Sequence, residues 1–272
     1  MNYKLILADF DQTLYRHDCT IQQSTIDTIK KYEQQGGRFA ICTGRMLKSI
    51  MPFAKSMNLT GDLVACQGSV IYNLDKEDYI LHGGIEYRLG KKIIEYIENN
   101  YKHIHMYING ELYVNSYDEA TRQYEKYCKV KATVIREKAS EFVEKNKPMI
   151  EKLLVFNSPE ENEKCYIDLE KKFGNIAVVS VSGEMLVEIA DINYSKGKAL
   201  TFLAQRYNIP IKQTIAIGDS LNDLTMIIAA GKGIAVGNAS EALKKAADEI
   251  TVSCDENAVE YIIKKYGLEE YL

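Results

Sequence analysis

Proline is scarce in this 272-residue chain, with four in all, and no stretch gathers proline, glycine or serine into a low-complexity linker. With 46% hydrophobic and 26% charged residues, the composition suits a globular protein with a sizeable core and no disordered tail. Long apolar runs are absent too: LILA and TMIIAA stop well short of the ~20 residues a membrane helix needs. Asp9 and Asp11 interrupt the first apolar stretch, which argues against a secretory signal there. A cytoplasmic protein with no membrane partner is the expectation. Basic residues number 34 against 38 acidic, a net charge of −4, and nowhere do they form a dense block. Nucleic-acid binding is built from clustered positive charge, so it is not expected here. The cysteines, Cys19, Cys42, Cys66, Cys128, Cys165 and Cys254, lie far apart without a C-x-x-C pair. Reduced thiols are favoured over a disulfide framework or a zinc site.

What is present is a βα rhythm, interrupted once. Lys4 to Ala8 is a compact apolar run, and Ile26, Ile29 and Tyr32 then recur at helical spacing until Gly36 and Gly37. Phe39 to Cys42 and Leu63 to Cys66 are further short apolar runs, separated by Leu47, Ile50, Ala54 and Met57 at helical spacing. Strands alternating with helices predict parallel pairing, with ligands collecting outside the carboxyl ends of the strands. After about His82 the pattern changes to Tyr-rich and Lys/Glu-rich α+β sequence, with a helix over Glu161 to Phe173 and paired strands at Ile176 to Val181 and Met185 to Ala190. From Lys196 the βα rhythm returns, through a strand at Thr214 to Ile217, a helix from Leu221 and a strand at Gly233 to Val236. The expected fold is α/β: a Rossmann-like core with a parallel sheet over residues 1–83 and 191–272, split by an inserted domain over 84–190.

Chemistry-bearing residues gather at the predicted strand ends. Asp9 and Asp11, two apart after the first strand, can aim both carboxylates at one point: one to attack phosphorus, the other to carry a proton. Thr43 and Gly44 lie between a strand and a helix, where a hydroxyl and free N–H groups can hold an anion. Lys196 offers a point charge for a phosphoryl group or an ionised nucleophile. Asp219 follows an apolar strand and supplies the hard oxygen that Mg²⁺ prefers, with Asn222 and Asp223 a helical turn further on. Taken singly, each segment is equally what a capped turn or a solvated helix start requires.

Taken together and in order, DFDQTL, the Thr43-Gly44-Arg45 segment, SKGKAL from Ser195 and GDSLND from Gly218 resemble the four motifs of the haloacid dehalogenase superfamily. The closest resemblance is to its Cof-type phosphatases, whose α/β cap is inserted between the second and third motifs, and GIAVGNA from Gly233 to Ala239 matches a further element of them. The resemblance implies a Mg²⁺-dependent phosphatase that hydrolyses small phosphate monoesters, sugar phosphates or related metabolites, through an aspartyl-phosphate, with residues 84–190 as the cap that sets specificity. It implies Asp9 as nucleophile and Asp11 as acid/base. Thr43, Gly44, Lys196 and Asn222 would hold phosphate, Asp9, Asp219 and the Asp11 backbone oxygen would bind Mg²⁺, and Asp223 would support them. A phosphomutase and a phosphate-binding protein with blocked chemistry are the alternatives. Two positions depart from the family pattern: Gln12 and Gln67 stand where Gly and Asn are usual. Gln12 is expected to narrow the phosphate entrance or to strain its turn.

Overall fold

The computed structural model describes residues 2–182 and 184–268, and they form two compact units. The first comprises residues 1–44, 53–81 and 195–272 within that range; the second comprises 45–52 and 82–194. The α/β class expected from the sequence is the class observed.

The first unit begins with β1 (Leu5–Ala8), α1 (Gln23–Gln34), β2 (Arg38–Ile41), α2 (Leu47–Ser56, shared between the units), β3 (Asp62–Ala65), β4 (Val70–Asn73) and β5 (Asp78–His82). Every residue of β1 is buried, as a central strand covered on both faces must be. In α1 the buried stripe is Thr25, Thr28, Ile29 and Tyr32, so the helical spacing identifies Ile29 and Tyr32, while Ile26 is only half-buried. One expectation fails. β3 is not an ordinary member of the parallel sheet: it pairs antiparallel with β4 and meets Cys42 only through an isolated parallel bridge at Val64. The cause is the turn at Cys66, Gln67 and Gly68, whose φ angles of 48°, 58° and 99° are all left-handed and reverse the chain.

The second unit contains α3 (Tyr87–Asn100), β6 (His103–Ile108), β7 (Glu111–Val114), α4 (Glu119–Cys128), β8 (Ala132–Val134), α5 (Ala139–Asn146), β9 (Ile150–Phe156), α6 (Pro159–Phe173), β10 (Ala177–Val181) and β11 (Leu186–Asp191). Its sheet runs β10-β11-β9-β6-β7-β8, antiparallel except for β7 with β8. Alternation along β6 sends Ile104, Met106 and Ile108 into a core with Ile93, Ile94 and Ile97 of α3 and Leu169 of α6. His103, His105 and Tyr107 take the other face.

The chain then returns to the first unit through α7 (Lys196–Arg206), β12 (Thr214–Gly218), α8 (Leu224–Ala229), β13 (Lys232–Ala235), α9 (Glu241–Ala246), β14 (Glu249–Ile250) and α10 (Ala258–Ile262). Its parallel sheet has the order β14-β13-β12-β1-β2. β1 lies between β2 and β12, so strand order reverses there, with Ala8 level with both Ile41 and Ile217. Such a reversal opens a crevice at the carboxyl ends of the strands. No helix of the described residues is long and apolar enough to cross a membrane.

On the polar face of β6, His103 Nδ1 lies 2.8 Å from the Asp118 carboxylate and its Nε2 lies 2.9 Å from Nε2 of His105. If Asp118 takes the Nδ1 proton of His103, His105 donates from Nε2, and its own Nδ1 is the buried atom left without a partner. Burial, aided by the neighbouring His103, pulls the His105 pKa from 6.5 down to about 3. The folded ring therefore stays neutral where the unfolded one protonates, and its stabilising contribution is present above pH 6.5 and lost as pH falls toward 3. The expected cost is roughly 1.4 kcal/mol per pH unit in that window. Urea midpoints measured across it should fall less steeply in His105→Gln than in the wild type; equal slopes would locate the acid sensitivity elsewhere.

Candidate active site

Asp9 is the first residue beyond β1, 4% exposed, and its N–H donates to the Ile217 carbonyl of β12 at 2.9 Å. Immediately after it the chain tightens: the N–H groups of Thr13, Leu14 and Tyr15 all return to the Phe10 carbonyl, at 3.4, 3.1 and 2.7 Å. Gln12, within that turn, has φ 56° and an exposed side chain, so the strain expected of a non-glycine residue there is present. Asn238 steadies the turn by donating from Nδ2 to the Gln12 carbonyl at 2.9 Å.

Lys196 opens α7, whose N-cap Ser195 accepts from the Lys198 N–H at 3.2 Å. The helix start is fixed from two sides. Gly197 N–H donates to Thr225 Oγ1 at 3.1 Å. The turn carrying Gly68 approaches so closely that a Cβ there would lie 2.4 Å from the Ser195 carbonyl oxygen. Only glycine suits that position, by space and by its φ of 99°. Lys196 Nζ then donates to Asp9 Oδ1 at 2.5 Å and to Asp223 Oδ1 at 2.6 Å, within a fully buried cluster.

Asp219 and Asp223 enter from the end of β12. Asp223 Oδ2 accepts from the N–H groups of Asp219 and Ser220, at 3.0 and 3.1 Å, and its side chain completes a capping box with Ser220. Asp219 is half-buried and accepts at Oδ1 from Thr13 Oγ1 at 3.4 Å. Carboxylate oxygens of Asp9, Asp219 and Asp223 all lie within 4.8 Å of one another.

The electrostatics follow from three carboxylates facing one ammonium. Burial raises the Asp9 pKa well above the usual carboxylate range, with the charge on Asp223 adding to it and Lys196 opposing. Asp219 is pushed up to about 6 by burial and by Asp223. For Lys196 burial works against the charge, but Asp223 and Asp9 outweigh it and hold the ammonium protonated above the ordinary lysine range. With all three acids ionised the group carries two surplus negative charges, which a hard divalent cation would offset. The donor set fits one. Asp223 has both oxygens engaged, so Asp9 and Asp219 are the carboxylates with capacity left for a metal.

Of the residues expected from the sequence, Asp9, Lys196, Asp219 and Asp223 come together directly. Thr43 and Gly44 lie just past β2 at the same sheet edge: Cys42 N–H bonds the Ala8 carbonyl at 2.9 Å, and buried Thr43 is held through its N–H to Val64 at 3.0 Å and its carbonyl to Gln67 at 3.1 Å. Gly44 packs against Gln67, whose amide nitrogen would be 2.7 Å from a Cβ at position 44. Asp11 is half-buried in the turn after Asp9, bridged to Tyr15. Asn222 is exposed, with its Oδ1 accepting from Ser220 Oγ at 2.6 Å. Sequence reasoning gave no role to Thr13, Ser220 or Asn238. Thr13 had a signal, a hydroxyl four residues after Asp9 in DFDQT, but Asn238 reaches the turn only through the fold.

A sequence model of the haloacid dehalogenase-like hydrolases matches residues 6–263. The chain is 25% identical to phosphatase YwpJ of Bacillus subtilis, over 96% of this chain and 99% of that one. It is 28% identical to the 5-amino-6-(5-phospho-D-ribitylamino)uracil phosphatase YwtE of the same organism, over 98% and 99%. Among solved structures it resembles TM0651 from Thermotoga maritima, with a TM-score of 0.86 at 31% identity, covering 97% of each chain.

The Asp223 carboxylate is the point through which Lys196 and the loop at Asp219 are held together. Asp223→Ala removes one of the two carboxylates bonded to Lys196 and leaves two backbone N–H groups without an acceptor, a loss expected to cost about 3–5 kcal/mol. Asp223→Asn, which keeps an acceptor and drops only the charge, should lose less. Urea unfolding reads both, and an unchanged midpoint for the alanine variant would show that the cluster does not stabilise the fold.

Proposed function

The chain belongs to the haloacid dehalogenase-like hydrolases, as a phosphatase of that family, and from this premise we propose that it is a Mg²⁺-dependent hydrolase of small phosphate monoesters acting through Asp9. The observation that carries the proposal is the buried Asp9 carboxylate at a strand end, 2.5 Å from the Lys196 ammonium and flanked by the carboxylates of Asp219 and Asp223. A carboxylate so enclosed is held in one orientation, and Lys196 partly offsets the burial that raises its pKa.

In the proposed reaction an Asp9 oxygen attacks phosphorus, the new P–O bond forms as the ester P–O bond breaks, and Asp11 gives a proton to the departing alkoxide. Asp11 then takes a proton from water, whose oxygen attacks the aspartyl-phosphate and regenerates Asp9 with release of phosphate. Thr43, Gly44 and Asn222 would hold the phosphoryl oxygens, together with the Lys196 ammonium. Mg²⁺, held by Asp9, Asp219 and the Asp11 backbone oxygen, would supply charge stabilisation for the phosphoryl group. For substrate class, YwtE dephosphorylates a phosphorylated ribityl compound by its name, which supports a phosphorylated sugar or sugar-like metabolite here.

Asp9→Asn keeps the side-chain shape and removes the nucleophile. Turnover of a generic aryl phosphate is expected to fall by about a thousandfold or more, with circular dichroism unchanged. Chelating divalent ions should abolish wild-type turnover, and Mg²⁺ should restore it. Wild-type-like rates in Asp9→Asn, or in chelator, would reject the assignment.

A further inference from the structure

A second group of potential ligands lies apart from the Asp9 cluster, built from residues 237 positions apart in sequence. His17 Nδ1 is 2.9 Å from Asp255 Oδ2 and 3.4 Å from Cys254 Sγ, and that sulfur is 3.8 Å from Asp255 Oδ1. Zinc in a tetrahedral site, with bonds of about 2.0–2.3 Å, sets its ligand atoms roughly 3.3–3.6 Å apart. The 3.4 Å between His17 and Cys254 falls in that range, and the 2.9 and 3.8 Å separations lie within about 0.4 Å of it, so small side-chain shifts would bring all three onto one ion.

The arrangement is also held in advance of any ligand. Cys254 N–H donates to Asn238 Oδ1 at 2.9 Å, and the turn beginning at Cys254 is closed by a capping box between Ser253 and Glu256. Asp255 is oriented by the His17 backbone N–H, which donates to Oδ1 at 3.1 Å and leaves Oδ2 facing the imidazole. Cys254 is 1% exposed, whereas the His17 and Asp255 side chains are about half exposed, so the sulfur sits behind two ligands that solvent reaches. That gives an ion a path inward and a fourth position for water. Arg16 is the nearby cation, with Nε 3.9 Å from Asp255 Oδ1, the oxygen already bonded to backbone.

We propose that His17, Cys254 and Asp255 form a binding site for a borderline-soft transition ion of the zinc class, distinct from the carboxylate site at Asp9. Sulfur and imidazole select such an ion over Mg²⁺, which takes oxygen. On binding, Cys254 releases its thiol proton to solvent and its thiolate lone pair joins the metal, while the proton on His17 Nδ1 leaves to solvent and the ring takes the Nε2–H tautomer, so that the Nδ1 lone pair and Asp255 Oδ2 can coordinate. The cysteine spacing hid this site, because only one of its ligands is a cysteine and the others come from a loop near residue 17 and from the neighbouring aspartate. A bound ion would staple that loop to the segment before α10, and Asn238, which bonds both Cys254 and Gln12, would carry the restraint to the turn after Asp9.

Cobalt reports the site directly, since a thiolate ligand gives a near-ultraviolet sulfur-to-cobalt charge-transfer band that an all-oxygen site cannot. Titrating the full chain with Co²⁺ in excess Mg²⁺ is expected to produce that band with a single equivalent, and Zn²⁺ should remove it. Cys19→Ser should leave the band intact and Cys254→Ser should abolish it. His17→Asn, at an exposed position that the fold tolerates, should weaken Co²⁺ binding by at least about tenfold. No band in the wild type, a band that survives Cys254→Ser, or unchanged affinity in His17→Asn would each overturn the proposal. Should Cys254→Ser fail to fold, the histidine variant decides alone.

Discussion

One buried ammonium makes the rest of the first unit's chemistry possible. Lys196 carries no exposed side-chain surface, yet it keeps its charge because two carboxylates lie within 2.6 Å of it. A lone lysine at that depth would lose its proton, and a lone aspartate would gain one. Together the carboxylates hold the Lys196 ammonium charged, while burial and the charge on Asp223 still raise the Asp9 pKa against the pull of Lys196. The surplus negative charge is the second consequence: a cluster with more acid than base is costly by itself and gains from any cation that enters.

Holding that pair in place occupies much of the surrounding structure. β1 and β12 are adjacent and in register, so the residues following them meet without any long side chain reaching across. The ammonium arrives from a helix that follows the second unit in sequence, and its position depends on small contacts at the helix start: Ser195 as cap, Thr225 against Gly197, and Gly68 allowing close approach. Further along α7, Arg206 Nε and the Tyr207 hydroxyl bond the buried Asp62 carboxylate of β3, at 2.9 and 2.8 Å. The helix is thus pinned at both ends to the segment that follows Thr43, and the lysine cannot drift from the strand ends it serves.

Much of this was legible in the sequence, and the reasons differ from part to part. The βα rhythm of the first unit could be read because buried parallel strands are short apolar runs and the helices between them carry a 3.6-residue stripe, as Ile29 and Tyr32 do. The convergence of Asp9 and Asp219 followed from strand ends sharing one edge, whereas Lys196 opens a helix and joined them through the motif resemblance. The reversal at Cys66 to Gly68 was not legible, since two of its three left-handed residues are not glycine and carry no turn signature. Nor was the double role of Asp223. Its spacing from Asp219 suggests a supporting acid, but that one oxygen meets Lys196 while the other caps the loop is settled only by the buried geometry.

The two unusual glutamines bear on how such a site tolerates strain. Gln12 and Gln67 both hold left-handed backbone, at φ 56° and 58°, a conformation that costs a non-glycine residue roughly 1–2 kcal/mol. Gln67 adds a buried Oε1 without a hydrogen-bond partner. Neither residue sits in a helix or strand where the cost could be relaxed by slipping one position; each lies in a turn fixed from outside, Gln12 by Asn238 and Gln67 by its N–H to the Thr43 carbonyl. Strain persists only where neighbours over-determine the conformation. At Gln67 the same geometry lays the amide against Gly44, so a side chain at position 44 would have to displace the Gln67 amide. The backbone strain at residue 67 and the packing of its amide against Gly44 are therefore two aspects of one turn.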